Sequence, residues 1–539
     1  MRAYRATVVT TIERLAGWAA DLRLDDVPDA VVDLCRAQRR SVFAAMAAST
    51  GDVASQRVLA GVETWAGEGP VLVPGLPRSV AVDAALYAAA ALSIALDFDD
   101  YVCFAHAGHS AVLVPVLLAA EAGASAAEQL AAQVAAGELE ARLGGACLLG
   151  PLNGQLWSFV HAAGSAVAAG RLLGLDAGRL AHALALALYQ APRATVPGFM
   201  APDSKLLTAA EPTLAGMRAA RLAAHGVTGP LDALDHPQGF FDAFCYAPLP
   251  ALLGGLGSGW ATRTMSIKRY PGCAYVDTTV DALLELGPPP AADVMSVVVE
   301  AGVLTCGMDA MSHGYAAVRM PTPVTINFSI PWTVAVTLVA GRLTPVEVNE
   351  KWLATHHREL ADLADRVSLR HDWSLTLRTA EALAPLLPVR AITAGTPTRR
   401  LLAAVRRTRL GHKGIRVGVG DGMDLLRALL RALREGGISA AGRAATGQPW
   451  APAALDAFTM TFPARVRVRL RDGRELVAES DVPQGGAGNV RTGPDMVSRE
   501  KLAACGPAVW GLRGTEDISE AIDSDAAGLW RLLGTKAGN

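Results

Sequence analysis

Paired cysteines, a charge excess and an uninterrupted apolar run of membrane length are all missing from this 539-residue chain. Its seven cysteines (Cys35, Cys103, Cys147, Cys245, Cys273, Cys306 and Cys505) are odd in number, far apart and never in a CxxC pair. That spacing argues for reduced thiols and against structural zinc or a locally ligated iron–sulfur cluster. A formal charge of −2 carries no footprint for nucleic acid or an anionic membrane. The charge-free stretch from Leu143 to Gly170 holds Asn153, Gln155 and His161 with a proline and several glycines. It reads as buried loop and helix rather than a membrane span. Glu13 and Asp21 interrupt the N-terminal segment, so no secretory signal is expected there. The expectation is a cytoplasmic protein that acts on a small molecule, with no nucleic-acid or membrane partner.

What is present is apolar and compact: 51% hydrophobic residues, 19% charged, 53 glycines and 31 prolines. Helix follows helix up to about residue 260, from Thr11–Leu22 and Asp29–Ser49 through Val80–Leu96 and Ser110–Ala122 to Glu211–His225. Several are apolar nearly all round, the mark of helices buried in a large bundle. The texture changes near Thr264. Met295–Glu300 is a β-branched run, Val324–Ile330 alternates like a half-buried strand, and Val367–Leu369 is a short candidate strand. Thr461–Leu470 and Arg474–Ser480 flank an Asp472-Gly473 turn, a strong hairpin signal. Helices are expected at Thr278–Leu286, Trp332–Ala340 and Thr344–Leu363.

The fold class expected is therefore mostly α. An all-α bundle spans 1–262 and an α+β domain spans 263–371. An atypical insertion covers 372–457, with basic residues from Arg399 to Arg416, a turn at Gly418–Gly422 and a helix at Met423–Arg434. A hairpin of the second domain spans 458–485, and C-terminal helices over 486–539 return to the bundle. The Gly418–Gly422 run is a turn rather than a phosphate loop, since no GK[ST] follows it.

The densest chemistry sits at Asp97-Phe98-Asp99-Asp100, just before His106 and His109. Burying a carboxylate without a partner costs several kcal/mol, so acids at the end of an apolar helix imply partners or a task. Two lysines stand out elsewhere: Lys205 after Pro202-Asp203-Ser204, and Lys268 in Ser266-Ile267-Lys268-Arg269-Tyr270-Pro271-Gly272-Cys273. Lysines, a histidine base and carboxylates together suit proton abstraction beside a carboxylate, with cations stabilising the developing enediolate.

These segments carry a resemblance. Leu15-Ala16-Gly17-Trp18, the Asp97–Asp100 tetrad, Ala169–Asp176, Ser204-Lys205-Leu206, Gly229–Asp242, Lys268–Pro271 and the hairpin from Phe462 resemble, in order, the MmgE/PrpD family. That family includes 2-methylcitrate dehydratase, cis-aconitate decarboxylase and iminodisuccinate epimerase. The resemblance implies a large all-α bundle with a smaller α+β lid, a site between them, a homodimer, and no metal or organic cofactor. Matched by position, Asp97, His106, Lys205 and Lys268 are its catalytic candidates; with His106 as the acid–base residue, Asp97 is expected to orient or charge-stabilise it.

The departures from the pattern are specific. Tyr101 stands where Thr is common, Trp157-Ser158-Phe159-Val160 replaces a His-Pro-Thr segment with His161 close by, and Cys273 stands where decarboxylase-like members have His. Asp100, Tyr101, Trp157, Phe159, His161, Met200, Tyr270 and Cys273 are therefore the expected substrate-binding residues. Bulk and aromaticity at these positions point to a larger, more apolar substrate than a small polycarboxylate. The reaction expected is an elimination, isomerisation or cyclisation in biosynthesis. A 2-methylcitrate-like hydroxy-acid dehydratase and a catalytically degraded binding protein are the alternatives.

Overall fold

In the computed structural model, residues 9–151, 158–316, 321–386 and 448–535 are described, with short pieces between 388 and 407 and at 427. The chain is mostly α-helical. Its first 250 residues pack long helices, chiefly Asp29–Ser49, Val82–Ile94, Ala126–Ala146, Val160–Leu172 and Leu207–Ala224. The Val82–Ile94 helix buries eleven of its side chains, and alanine on most of its faces lets neighbours approach closely. Helix starts are set locally. Thr10 with Glu13 and Ser125 with Glu128 form reciprocal caps, each satisfying two otherwise orphaned backbone groups.

Two small sheets follow. Strands β1 (Asp100–Val102) and β2 (Met265–Ile267) pair antiparallel, Asp100 opposite Ile267 and Tyr101 opposite Ser266. The second sheet has the order β4–β3–β5–β6, with β3 (Val294–Ala301), β4 (Val367–His371), β5 (Ala464–Leu470) and β6 (Glu475–Ser480). β3 and β4 run parallel, while β5 pairs antiparallel with both β3 and β6. The expected hairpin is present, and Gly473 supplies its left-handed backbone, with φ of +89°. β5 alternates as a half-buried strand should. Val466, Val468 and Leu470 enter the core, while Arg465 faces out to Glu300 (3.1 Å) and Glu479 (2.6 Å).

One expected strand is a helix. Val324–Ile330 folds as the Pro323–Ile326 turn and the start of the Ile330–Ala340 helix. Thr322 caps the first through Thr325 N, and a proline in the opening turn of each suits a position whose N–H has no helical partner. These β-branched residues are buried all round, so their alternation marks no solvent face. The helix expected at Thr344–Leu363 begins only at Glu350, behind the Asn349 cap. Within 372–457, helices form at Trp373–Leu383 and Thr398–Arg407; Gly418–Gly422 and nearly all of Met423–Arg434 lie outside the described residues. At the C-terminus, Pro494–Cys505 and Pro507–Asp523 lie against Asp29–Ser49, with buried Arg40 joined to Asp495 and to Asp523. Among the described residues, no helix is long and apolar enough to cross a membrane.

Candidate active site

The β1–β2 pairing explains how acids near residue 100 meet a lysine near residue 268. It places Lys268 beside Asp99, whose carbonyl accepts from the Lys268 backbone N–H at 3.1 Å. Just before β1, Asp97 adopts a left-handed backbone, φ +52°. The ammonium of Lys268 then reaches Asp99 Oδ1 (2.6 Å), Asp97 Oδ2 (3.3 Å) and the Asp97 carbonyl (3.0 Å). Lys205, on the short Asp203–Leu206 turn, approaches Asp97 Oδ1 at 3.6 Å. Its ammonium also lies 5.2 Å from the centre of the Phe328 ring. With the Asn327 amide oriented to donate to Pro323, its oxygen accepts from Lys205 Nζ at 2.8 Å.

This is a buried cluster of two lysines and two aspartates. Burial opposes ionisation of both carboxyls, but Lys205 and Lys268 hold Asp97 below the usual range. Lys268 and His106 likewise hold Asp99 well below it. Burial pulls the Lys205 ammonium down despite Asp97. For Lys268, Asp97 and Asp99 outweigh burial and push it up.

His106 binds Asp99. Its Nδ1 is 2.7 Å from Asp99 Oδ2, and its side chain is 13% exposed where its buried neighbours show 3% or less. With Asp99 ionised, Nδ1 carries the proton and donates, which leaves Nε2 as the basic nitrogen. The hydrogen bond that orients His106 thus comes from Asp99, while the charge of Asp97 acts on the same ring. Asp99 and Tyr101 share one side of the strand; Asp97 lies beyond the left-handed turn, aimed at the lysines.

The cluster opens on a cleft that Asp97 and His106 border. Asp97, Tyr101, Cys103, Phe104 and His106 line it together with Tyr275 and Phe462. Phe199, Cys273, Met308 and Phe328, packed on one another, line it too, with the Phe199 and Phe328 ring centres 5.0 Å apart. Tyr275 and Phe462 meet edge to face, ring centres 4.8 Å apart. Burial pushes the Cys273 thiol up to about 12, so it faces the cleft as a neutral thiol.

Five expected substrate-binding residues do not line the cleft. Asp100 points to the opposite side of β1, where Gln38 donates to it at 2.7 Å. Burial, then the charge of Asp99, raises it to about 6. Phe159 is fully buried, packed edge to face on Phe240 and Phe244 at 5.2 and 4.8 Å, because the bundle needs a large apolar filler there. His161 is buried too, its Nδ1 2.9 Å from Ser110 Oγ, which donates to Glu140 at 2.7 Å. Burial holds His161 well down and Glu140 well up, the neutral form of each. Tyr270 donates its hydroxyl to Asp281 at 2.8 Å and so anchors the lysine loop. Met200 lies fully buried just behind the cleft, and Phe199 takes the wall position. Trp157 lies outside the described residues.

His109, already part of the acid–histidine cluster in the sequence, joins the site: its Nε2 lies 3.0 Å from the same Asp99 oxygen, and its Nδ1 is 2.7 Å from Ser93. Sequence reasoning missed the aromatic walls. Phe328 and Phe462 come from segments hundreds of residues away, and an isolated Phe in an apolar stretch carries no local signal. Among the described residues no three His, Cys, Asp or Glu side chains gather as a metal site.

No curated protein matches the chain. Residues 13–251 match the MmgE/PrpD N-terminal domain and residues 270–412 the MmgE/PrpD C-terminal domain. Lys268 stands between the two matches, and the second runs on through the first part of the stretch expected to be an insertion. Together they cover most of the sequence, and the chain belongs to the MmgE/PrpD family, one of dehydratase- and lyase-type enzymes.

Proposed function

We propose that this protein is an acid–base lyase or isomerase for a substrate larger and more apolar than a di- or tricarboxylate, with His106 as the proton carrier. The observation that carries this reading is the wall of the cleft: among the described residues no lysine or arginine lines it. The two buried lysines are already engaged by Asp97 and Asp99. A polyanion entering there would lose its hydration without gaining free cations in return. Aromatic rings, methionine and neutral thiols instead favour an apolar skeleton with one polar reacting end.

In this reading the reacting end lies against Asp97 and His106. His106 Nε2 takes a proton from the carbon beside a carbonyl, and Asp99 steadies the imidazolium that forms. The electron pair left behind forms the new double bond. The imidazolium then returns its proton, either to a departing hydroxyl, which leaves as water, or to another carbon. Lys205 and Lys268 keep Asp97 and Asp99 ionised throughout. The resemblance makes a homodimer the expected assembly.

The test is a substrate comparison with purified protein. Slow or absent turnover of 2-methylcitrate and cis-aconitate, with turnover of an apolar hydroxy- or keto-acid recovered by metabolite screening, is expected. Rapid turnover of either polyacid overturns the reading in favour of an ordinary hydroxy-acid dehydratase.

A further inference from the structure

Three successive carbonyls run through the turn that carries the acids. Asp97 O accepts from Lys268 Nζ at 3.0 Å, and Asp99 O accepts from the Lys268 backbone at 3.1 Å. Phe98 O, between them, accepts from Lys501 Nζ at 2.9 Å. Lys501 is buried. It also donates to Ser41 at 2.9 Å, and its ammonium sits 3.9 Å from the centre of the Phe98 ring. It belongs to the Pro494–Cys505 helix, beyond both family matches.

Two neighbours on that helix reach the other arm of the site. Glu500 pairs with Arg269, the residue after Lys268, at 2.6 Å. Val497 packs on Ile267, the residue before it. One helix therefore grips both the acid turn and the lysine strand. The turn needs such a grip, because a non-glycine residue at φ +52° is strained and persists only when its surroundings hold it.

We propose that Lys501 is a positioning residue: by holding the Phe98 carbonyl it fixes the left-handed Asp97 turn, and so aims Asp99 at His106. This rests on the reading of Asp99 and His106 as the acid–base pair. Burial pushes the Lys501 ammonium down to about 7 while Asp99 draws it up, which agrees with an electrostatic tie between the two. The methylene stem alone would fill the same space, so removing only the terminal amine separates the hold from the packing.

The test is a long-range ¹H–¹⁵N spectrum of histidine-labelled full-length protein, with His106 assigned by its loss in His106→Gln. Wild type is expected to show His106 in the single form protonated at Nδ1. In Lys501→Met that signal is expected to shift toward a mixture of both ring forms and to return in Lys501→Arg. His182, on the distant Ala177–Tyr189 helix, should not move. A folded Lys501→Met protein with an unchanged His106 signal overturns the proposal. Should that variant not fold, Lys501→Leu, which also lacks a donor, takes its place under the same criterion. If neither folds, Lys501 serves the core rather than the site, and the proposal is likewise overturned. The spectrum reads ring geometry without turnover. An active His106→Gln enzyme would sink the acid–base reading and leave the Lys501 result standing.

Discussion

Oδ2 of Asp99 lies 2.7 Å from Nδ1 of His106, and this contact sets the ring form in which His106 can act as a base. Asp99→Asn keeps the shape but offers no carboxylate to hold the Nδ1 proton. Turnover of the identified substrate should fall by about 10²–10⁴, as for loss of an acid–base group. Asp97→Asn should leave the His106 ring form as it is. Measuring the His106 spectrum in both variants checks the assignment, and an unchanged ring form in Asp99→Asn would refute it.

His106→Ala should cost a similar factor in turnover with little change in thermal unfolding, because this ring borders the cleft. His109→Ala differs. Its ring is fully buried between Ser93 and Asp99, so unfolding should occur several degrees lower. Calorimetry on the two variants distinguishes them; equal melting losses would contradict the placement of His106.

Asp99 and Asp100 have opposite pH signatures. The folded value of Asp99 lies well below its unfolded value of 3.8, so its contribution is present above about that pH and is lost as pH falls through the folded value. Asp100 rises from 3.8 to about 6, so the folded state binds more protons than the unfolded one in that window, and stability falls as pH rises through it. Asp100→Asn removes this penalty while keeping an oxygen for Gln38. Urea unfolding should show a gain on the order of 2–3 kcal/mol at pH 7.5 that vanishes near pH 4. A variant less stable than wild type at pH 7.5 would refute it.

Gly108 has its α-carbon against the Asp100 carboxylate, and a methyl group there would run into Asp100 and Val42. Gly108→Ala should therefore destabilise by about 1–3 kcal/mol, the usual cost of overpacking. In Gly108→Ala combined with Asp100→Ala much of that loss should be recovered, which a double-mutant cycle measures.

Phe159 and Tyr275 separate core from cleft. Phe159→Ala empties a ring cluster and should cost about 3–5 kcal/mol while leaving KM unchanged. Tyr275→Ala opens the cleft wall and should raise KM. A KM rise in Phe159→Ala would restore that residue to the substrate site.

Much of this protein was settled by local sequence. Alternation on both sides of Asp472-Gly473 determined the hairpin, and apolar residues at every helical angle determined which helices are buried. The acids, His106 and the two lysines were legible as a cluster because burying such groups demands partners. The partners themselves were decided only by the fold. Register on β1 turns Asp99 to His106 and Asp100 away to Gln38, since side chains on a strand alternate between faces. The left-handed turn sends Asp97 to the lysines. Phe159 and His161 looked like site residues by position but fill the bundle, because packing around a helix is decided by neighbours far away in sequence. Lys501 approaches Phe98 across 403 residues, a contact that exists only once the C-terminal helix has docked and buried its lysine against the Phe98 carbonyl.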